Sequence, residues 1–165
     1  MKKHLFNRID KEDLKLALSR ETFDRMTASF YHYVNLSSPD DLRDQLYIKW
    51  NQMGVFGRVY IASEGINAQV SIPEHNWVKF SRYLDSIPEF KGISIKRALQ
   101  EGSSFYKLKI KVRNELVAYG VSEELYDMDR VGKHLSAEEY NFAIDRIDSV
   151  VVDMRNYYES EIGHF

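Results

Sequence analysis

Four cations alternate along one short segment. Lys107, Lys109, Lys111 and Arg113 are separated by Leu108, Ile110 and Val112, with Tyr106 ahead of them. On an extended strand side chains alternate between faces, so this spacing puts the four charges on one side and the apolar set in a core. Such a row, with Lys96 and Arg97 on a neighbouring strand, can lie along a phosphate backbone. Each contact would release counterions and make binding salt-dependent. Tyr and Phe nearby could stack on unpaired bases, as in recognition of single-stranded or loop RNA. The same row also suits an edge strand whose lysines block aggregation.

Two further clusters carry polar groups. The turn Ala62-Ser63-Glu64-Gly65-Ile66-Asn67-Ala68-Gln69 offers a carboxylate, a hydroxyl and two amides, with Ser63, Glu64, Gly65 and Asn67 at its centre. These groups could read a base edge or a sugar; as structure they are a hairpin turn in which Gly supplies a positive φ. Near the end, Asp153, Arg155, Glu159 and His164 follow the apolar run Val150-Val151-Val152. In an open parallel sheet ligands bind beyond the carboxyl ends of strands, where an Asp and an Arg are well placed. With no nucleophile in the chain, Asp153 and Arg155 are expected to pair and pin the following loop.

Composition narrows the chemistry. The 165 residues contain no cysteine, which removes disulfides, thiolate-held metals and any thiol nucleophile of this chain. The five histidines, His4, His32, His75, His134 and His164, show no ligand spacing, so no metal site is expected. There is no Gly-rich phosphate loop and no G-x-S-x-G elbow. Acylphosphatase chemistry would need an Arg-bearing phosphate loop after the first strand, and Asn35-Leu36-Ser37-Ser38-Pro39-Asp40-Asp41 is acidic and free of Arg. Twenty-three Lys and Arg against 25 Asp and Glu give a net charge of -2, so any basic site must be a local patch. The basic start, Met1 to Arg8, has no apolar run behind it, and no stretch approaches the ~20 apolar residues of a membrane span. The expectation is a soluble, cytoplasmic protein.

The elements that must position these residues follow from periodicity. An N-terminal helical extension, 1–26, holds one helix that Asp10 caps. A strand is expected over Phe30 to Leu36, then a helix opened by Ser38-Pro39 and stopped by Gly54, with Leu42, Leu46, Trp50 and Met53 on one face. Arg58 to Ala62 and Ile66 to Ile72 form a hairpin, and in the second of these Asn67 and Gln69 alternate with apolar neighbours. A helix from about Pro73 to Ile87, a strand at Ile93 and Ile95, and a fifth strand over Phe105 to Val112 complete the set. Strand, helix, strand, strand, helix, strand is the split β-α-β order. It predicts an α+β domain over 27–119: a ferredoxin-like (acylphosphatase-like) antiparallel sheet with two helices on one face. A polar linker, 120–133, precedes a capping box at Ser136 and Glu139 and the Val150–Val152 run, which suits a strand buried on both faces of a parallel sheet. Residues 134–165 are thus expected to open a second, α/β domain that is cut short. Its strand would dock on the first sheet, swap into another copy, or be disordered.

Two stretches together go beyond a shared fold. Tyr60-Ile61-Ala62-Ser63-Glu64-Gly65-Ile66-Asn67-Ala68-Gln69, with Phe30-Tyr31-His32-Tyr33-Val34 upstream and Lys107 to Arg113 downstream, resembles the amino-terminal half of the rhodanese-domain tRNA uridine hydroxylases, formerly uncharacterised rhodanese-related sulfurtransferases. Val151-Val152-Asp153-Met154-Arg155-Asn156-Tyr157-Tyr158-Glu159, ending Gly163-His164-Phe165, resembles the opening of a rhodanese domain. The resemblance implies hydroxylation of the tRNA wobble uridine at C5 with molecular oxygen, an unidentified electron donor and no bound cofactor. It implies tRNA, gripped at its anticodon region, as partner, with the rest of the rhodanese domain in cis and a reactive Cys beyond Phe165. On that basis the chain is expected to be inactive alone, and Lys107, Lys109, Lys111 and Arg113 are expected to contact tRNA phosphates, with Lys96 and Arg97 nearby. A rhodanese-type sulfurtransferase and a non-catalytic ferredoxin-like adaptor are the alternatives.

Overall fold

The structure is a computed structural model that describes residues 5–97, 105–116, 130, 132–154 and 157–163. The chain divides into two compact units, 1–128 and 129–165. The first opens with helix α1 (Lys11–Ser19), whose N-cap Asp10 accepts a hydrogen bond from the Glu12 N–H at 2.8 Å. Strand β1 (Arg25–Tyr33), helix α2 (Pro39–Gln52), strands β2 (Phe56–Ala62) and β3 (Gly65–Pro73), helix α3 (Trp77–Asp85) and strand β4 (Lys96–Arg97) then follow in the expected order. Strand β5 (Leu108–Val112) completes a sheet of order β4-β1-β3-β2-β5. The β1–β3, β1–β4 and β2–β3 pairs are antiparallel, as expected, whereas β5 lies parallel to β2 and makes the sheet mixed.

The core occupies one face of this sheet. Phe30, Ala68, Val59 and Ile110 stand side by side across β1, β3, β2 and β5, all buried. On them pack Leu46 and Trp50 of α2 and Phe80 and Leu84 of α3. Trp50 and Phe80 have ring centroids 5.2 Å apart, and Phe30 of the sheet lies 6.3 Å from Trp50. Both helices therefore cover the same side, and burying these large apolar groups is the main stabilising term of the unit.

Several boundaries differ from expectation for identifiable reasons. Strand β1 starts at Arg25 rather than Phe30, because a buried ion pair holds its first residue: Arg25 donates to both Glu21 carboxylate oxygens at 2.6 and 2.9 Å. The same guanidinium donates to the Ser71 and Gly54 carbonyls and lies 3.9 Å from the Phe56 ring centroid. Ile93 and Ile95 are not the fourth strand; they pack half-buried against the core, and Lys96–Arg97 make the pairing, to Ser29 and Ala28. Pro73 ends β3, and α3 begins only at Trp77 after a 3-10 turn.

In the second unit, helix α4 (Ala137–Ile144) has the expected capping box: the Glu139 N–H donates to Ser136 Oγ at 3.2 Å, and the Ser136 N–H donates to Glu139 Oε2 at 2.8 Å. The expected strand is absent: Val150, Val151 and Val152 are 85%, 45% and 70% exposed and unpaired with any described strand. A strand of that type needs neighbours on both edges and cover on both faces, and this unit supplies neither. A short helix, α5 (Tyr157–Ser160), follows. The expected linker lies almost wholly outside the described residues. No described helix is long and apolar enough to cross a membrane.

Candidate nucleic-acid interface

The sheet face turned away from α2 and α3 is polar, aromatic and cationic. Register builds it in rows. Lys96 of β4, Ser29 of β1, Gln69 of β3, Arg58 of β2 and Lys109 of β5 stand opposite one another in turn. One step along the strands, Tyr31, Asn67, Tyr60 and Lys111 form a second row. Ser29, Tyr31, Arg58, Asn67, Gln69, Lys96, Lys109 and Lys111 are exposed, while their strand neighbours Ala28, Phe30, Val59, Ala68, Leu108 and Ile110 are buried. This is the two-residue alternation acting in every strand at once.

The five strands carry six Lys and Arg and no Asp or Glu. That leaves 17 basic against 25 acidic residues for the rest of a chain whose net charge is only -2. Of the six, Arg25 is buried against Glu21 and Arg97 turns to the helix side, which leaves Arg58, Lys96, Lys109 and Lys111 on the open face. Among the described residues Arg58, Lys109, Lys111 and Arg113 form no ion pair. Arg113 lies just past β5, where its backbone N–H donates to the Ile61 carbonyl at 2.8 Å and its guanidinium sits 5.5 Å from the Tyr60 ring centroid. Lys107 is half-buried, its ammonium 5.7 Å from the Tyr106 ring.

The structure separates the other predicted residues. Lys96 and Arg97 are not beside the basic strand: β4 and β5 are opposite edges of the sheet, three strands apart. Lys96 still shares the open face, through Ser29. Arg97 is paired with Ala28 and turns to the helix side, its guanidinium 4.6 Å from the Trp77 ring. In the hairpin turn, Glu64 is 5% exposed, and its carboxylate accepts the Leu116 N–H. The Ser63 and Glu64 carbonyls accept the Leu36 and Val34 N–H groups at 2.8 and 3.0 Å. Ser63 and Glu64 thus tie the chain after β1 and after β5 to the hairpin, and of the turn motif only Asn67 joins the open face. Asp153 is exposed; Arg155 and His164 lie outside the described residues, as does the side chain of Glu159.

Those backbone bonds also bear on phosphate chemistry at the loop after β1. Two of its N–H groups, Val34 and Leu36, are already spent on the hairpin. The cavity beside it, about 360 Å³, is lined by Ser37, Ser38, Asp41, Gln45 and Glu89 among others, with no Lys or Arg in its wall. Two carboxylates and no cation make a poor phosphate cradle. Among the described residues no group of three or more His, Asp or Glu is placed to hold a metal ion.

Sequence reasoning missed Tyr31, Tyr60, Arg58 and Gln69 as partners of the lysine row. The available signal was the polar half of each alternating strand: Tyr31 beside Phe30, and Arg58 and Tyr60 around Val59.

Comparison with known proteins places this unit. Residues 25–116 match the family described as "UPF0176 acylphosphatase like domain". A Leptospira interrogans protein named tRNA uridine(34) hydroxylase is 51% identical over 165 residues, covering 99% of this chain and 45% of that protein. A Photorhabdus laumondii protein of the same name is 45% identical over 163 residues, covering 98% of this chain and 46% of that protein. The chain thus spans just under half the length of the curated relatives it matches. The BLUF protein BlrB in its dark state aligns with a TM-score of 0.38 and 14% identity over 58% of this chain and 78% of that one, too distant to bear on the site. With the match running from β1 through β5 and spanning more than half of its length, this chain belongs to the family of the UPF0176 acylphosphatase like domain.

Proposed function

We propose that this chain is the amino-terminal, tRNA-binding part of an oxygen-dependent hydroxylase acting at C5 of the tRNA wobble uridine in the cytoplasm. The names of its relatives support the reaction. The carrying observation is the open sheet face, where Arg58, Lys109, Lys111 and Arg113 adjoin one another with no acidic residue in any strand. Its part in the reaction is to hold and orient the anticodon region. These 165 residues contain no cysteine, so a reactive thiol must come from elsewhere in the enzyme, and the chain alone does not hydroxylate. The rest of a rhodanese domain, in cis, covers the exposed Val150–Val152 run.

The test is salt dependence. Replacing Arg58, Lys109, Lys111 and Arg113 together by Gln removes four phosphate contacts. At about 0.7 per contact, the slope of log affinity against log salt should shrink by about 3. An unchanged slope for bulk tRNA returns these cations to solubility alone. Incubation of the chain with substrate tRNA in air, followed by nucleoside mass spectrometry, should yield no 5-hydroxyuridine; robust formation refutes the division of labour.

A further inference from the structure

We infer that Tyr31 and Tyr60 form a two-position stacking platform for unpaired RNA bases, with Asn67 between them to hydrogen-bond a base edge. This rests on the tRNA-binding reading of the same face and adds which part of the RNA is held and in which direction it runs. Both tyrosines are register partners of one residue: Tyr31 of β1 and Tyr60 of β2 each stand opposite Asn67 of β3. The backbones that carry them are therefore about 10 Å apart, two interstrand spacings, and both side chains leave on the side away from the core.

An aromatic ring is seldom left in water on an inner strand, yet Tyr31 is 63% exposed. It is steadied by Tyr33, edge to face at 5.6 Å, and Tyr60 by the Arg113 guanidinium. Stacking on such rings tolerates any base, because every base offers a π-face. Asn67 adds a donor and an acceptor in one side chain.

The cations lie to the β2–β5 side of the row, with Lys111 next to Tyr60, and Arg58 and Lys109 one step away. A strand of RNA with its bases on Tyr31 and Tyr60 thus crosses the β-strands rather than following β5, and its phosphates reach Lys111 and Arg113. A duplex cannot use this row, since its bases are already stacked on each other. The occupant is therefore single-stranded RNA, such as a loop.

The experiment measures anisotropy of a labelled unstructured ten-nucleotide RNA and of an RNA duplex of equal charge, each bound to the intact 165-residue chain at low salt. Tyr31→Ala and Tyr60→Ala should each weaken single-strand binding about 5- to 150-fold. Tyr31→Phe and Tyr60→Phe should restore it, because the ring face remains. Neither alanine should change the salt slope, since no phosphate contact is lost. Urea midpoints check folding, and Tyr60→Leu, which keeps apolar bulk without a planar face, replaces Tyr60→Ala if that variant is destabilised. Salt-dependent RNA binding that ignores both tyrosines, or equal affinity for duplex and single strand, overturns the platform and leaves the tRNA-binding reading standing. No RNA binding at any salt concentration overturns both.

Discussion

Replacing Gly65 by alanine separates the structural from the recognition role of the hairpin turn. Gly65 has φ +140°, and a Cβ added there would stand 2.0 Å from the His32 carbonyl oxygen and 3.0 Å from its carbonyl carbon. Both atoms are backbone, so the clash can be relieved only by moving β1 about 1 Å from β3, since carbon–oxygen contacts near 3 Å are already tight. Holding a non-glycine residue at such a φ costs about 1–3 kcal/mol. The displaced end of β1 also carries the Val34 and Leu36 hydrogen bonds to Glu64 and Ser63, worth about 0.5–1.5 kcal/mol each. Together these come to about 4 kcal/mol. With a urea m-value of about 2 kcal/mol/M, the midpoint should fall by about 2 M. Gly92 is the control: its φ is +75° but nothing lies within 4 Å of an added Cβ. Gly92→Ala should therefore cost only the backbone term, about 1 kcal/mol, or about 0.5 M. A Gly65→Ala midpoint no lower than that of Gly92→Ala refutes the close-approach reasoning and reopens Gly65 as a residue kept for ligand contact.

Two further outcomes follow from the core. Phe80→Ala empties the junction of α3 with Trp50 and Phe30, and should lower stability by about 3–5 kcal/mol; a loss below 1 kcal/mol by urea melts would mean the helices do not share one core. Burial raises the phenols of Tyr47 and Tyr83 above their ordinary 10.0, with Arg43 partly offsetting the effect at Tyr47. The folded state therefore holds these protons more tightly than the unfolded state, so their contribution is complete below pH 10 and is lost as pH rises through the raised values. Tyr47→Phe with Tyr83→Phe should lessen the fall in urea midpoint between pH 9 and 11, and an identical fall would refute the assignment.

Where a residue's role was decided by its nearest neighbours along the chain, the sequence disclosed it. Ser38, Pro39 and Gly54 bracket α2, observed as Pro39–Gln52. The Ser136–Glu139 box opens α4, and the alternation from Leu108 to Lys111 sorts charge from core. What stayed hidden depends on pairing between distant segments. Ile93 and Ile95 have strand-like side chains, but β1 offers its free edge to Lys96 and Arg97 instead. Nothing local says that β5 joins β2 in parallel, or that this puts Arg58 beside Lys109 and Tyr60 beside Lys111. The open polar face is a product of register, and register is set by long-range burial of the opposite face. Val150–Val152 shows the converse: a local pattern suited to a buried strand forms none when its partners are lacking.

Segregation of charge bears directly on the kind of partner this face can take. At physiological salt a charge is felt over only about 8 Å, so the small net charge says little about what happens at close range. The charged side chains that the strands present on the open face are all cationic, while α2 opens with Asp40 and Asp41 and balances Asp44 against Arg43. A polyanion is thereby both attracted and oriented. A protein partner would need apolar area to offset the ordering that association costs. The two rows here, Ser-Gln-Arg-Lys and Tyr-Asn-Tyr-Lys, offer it only as isolated rings. Rings spaced among cations and amides suit a chain of bases on a phosphate backbone better than the apolar stripe of a helix.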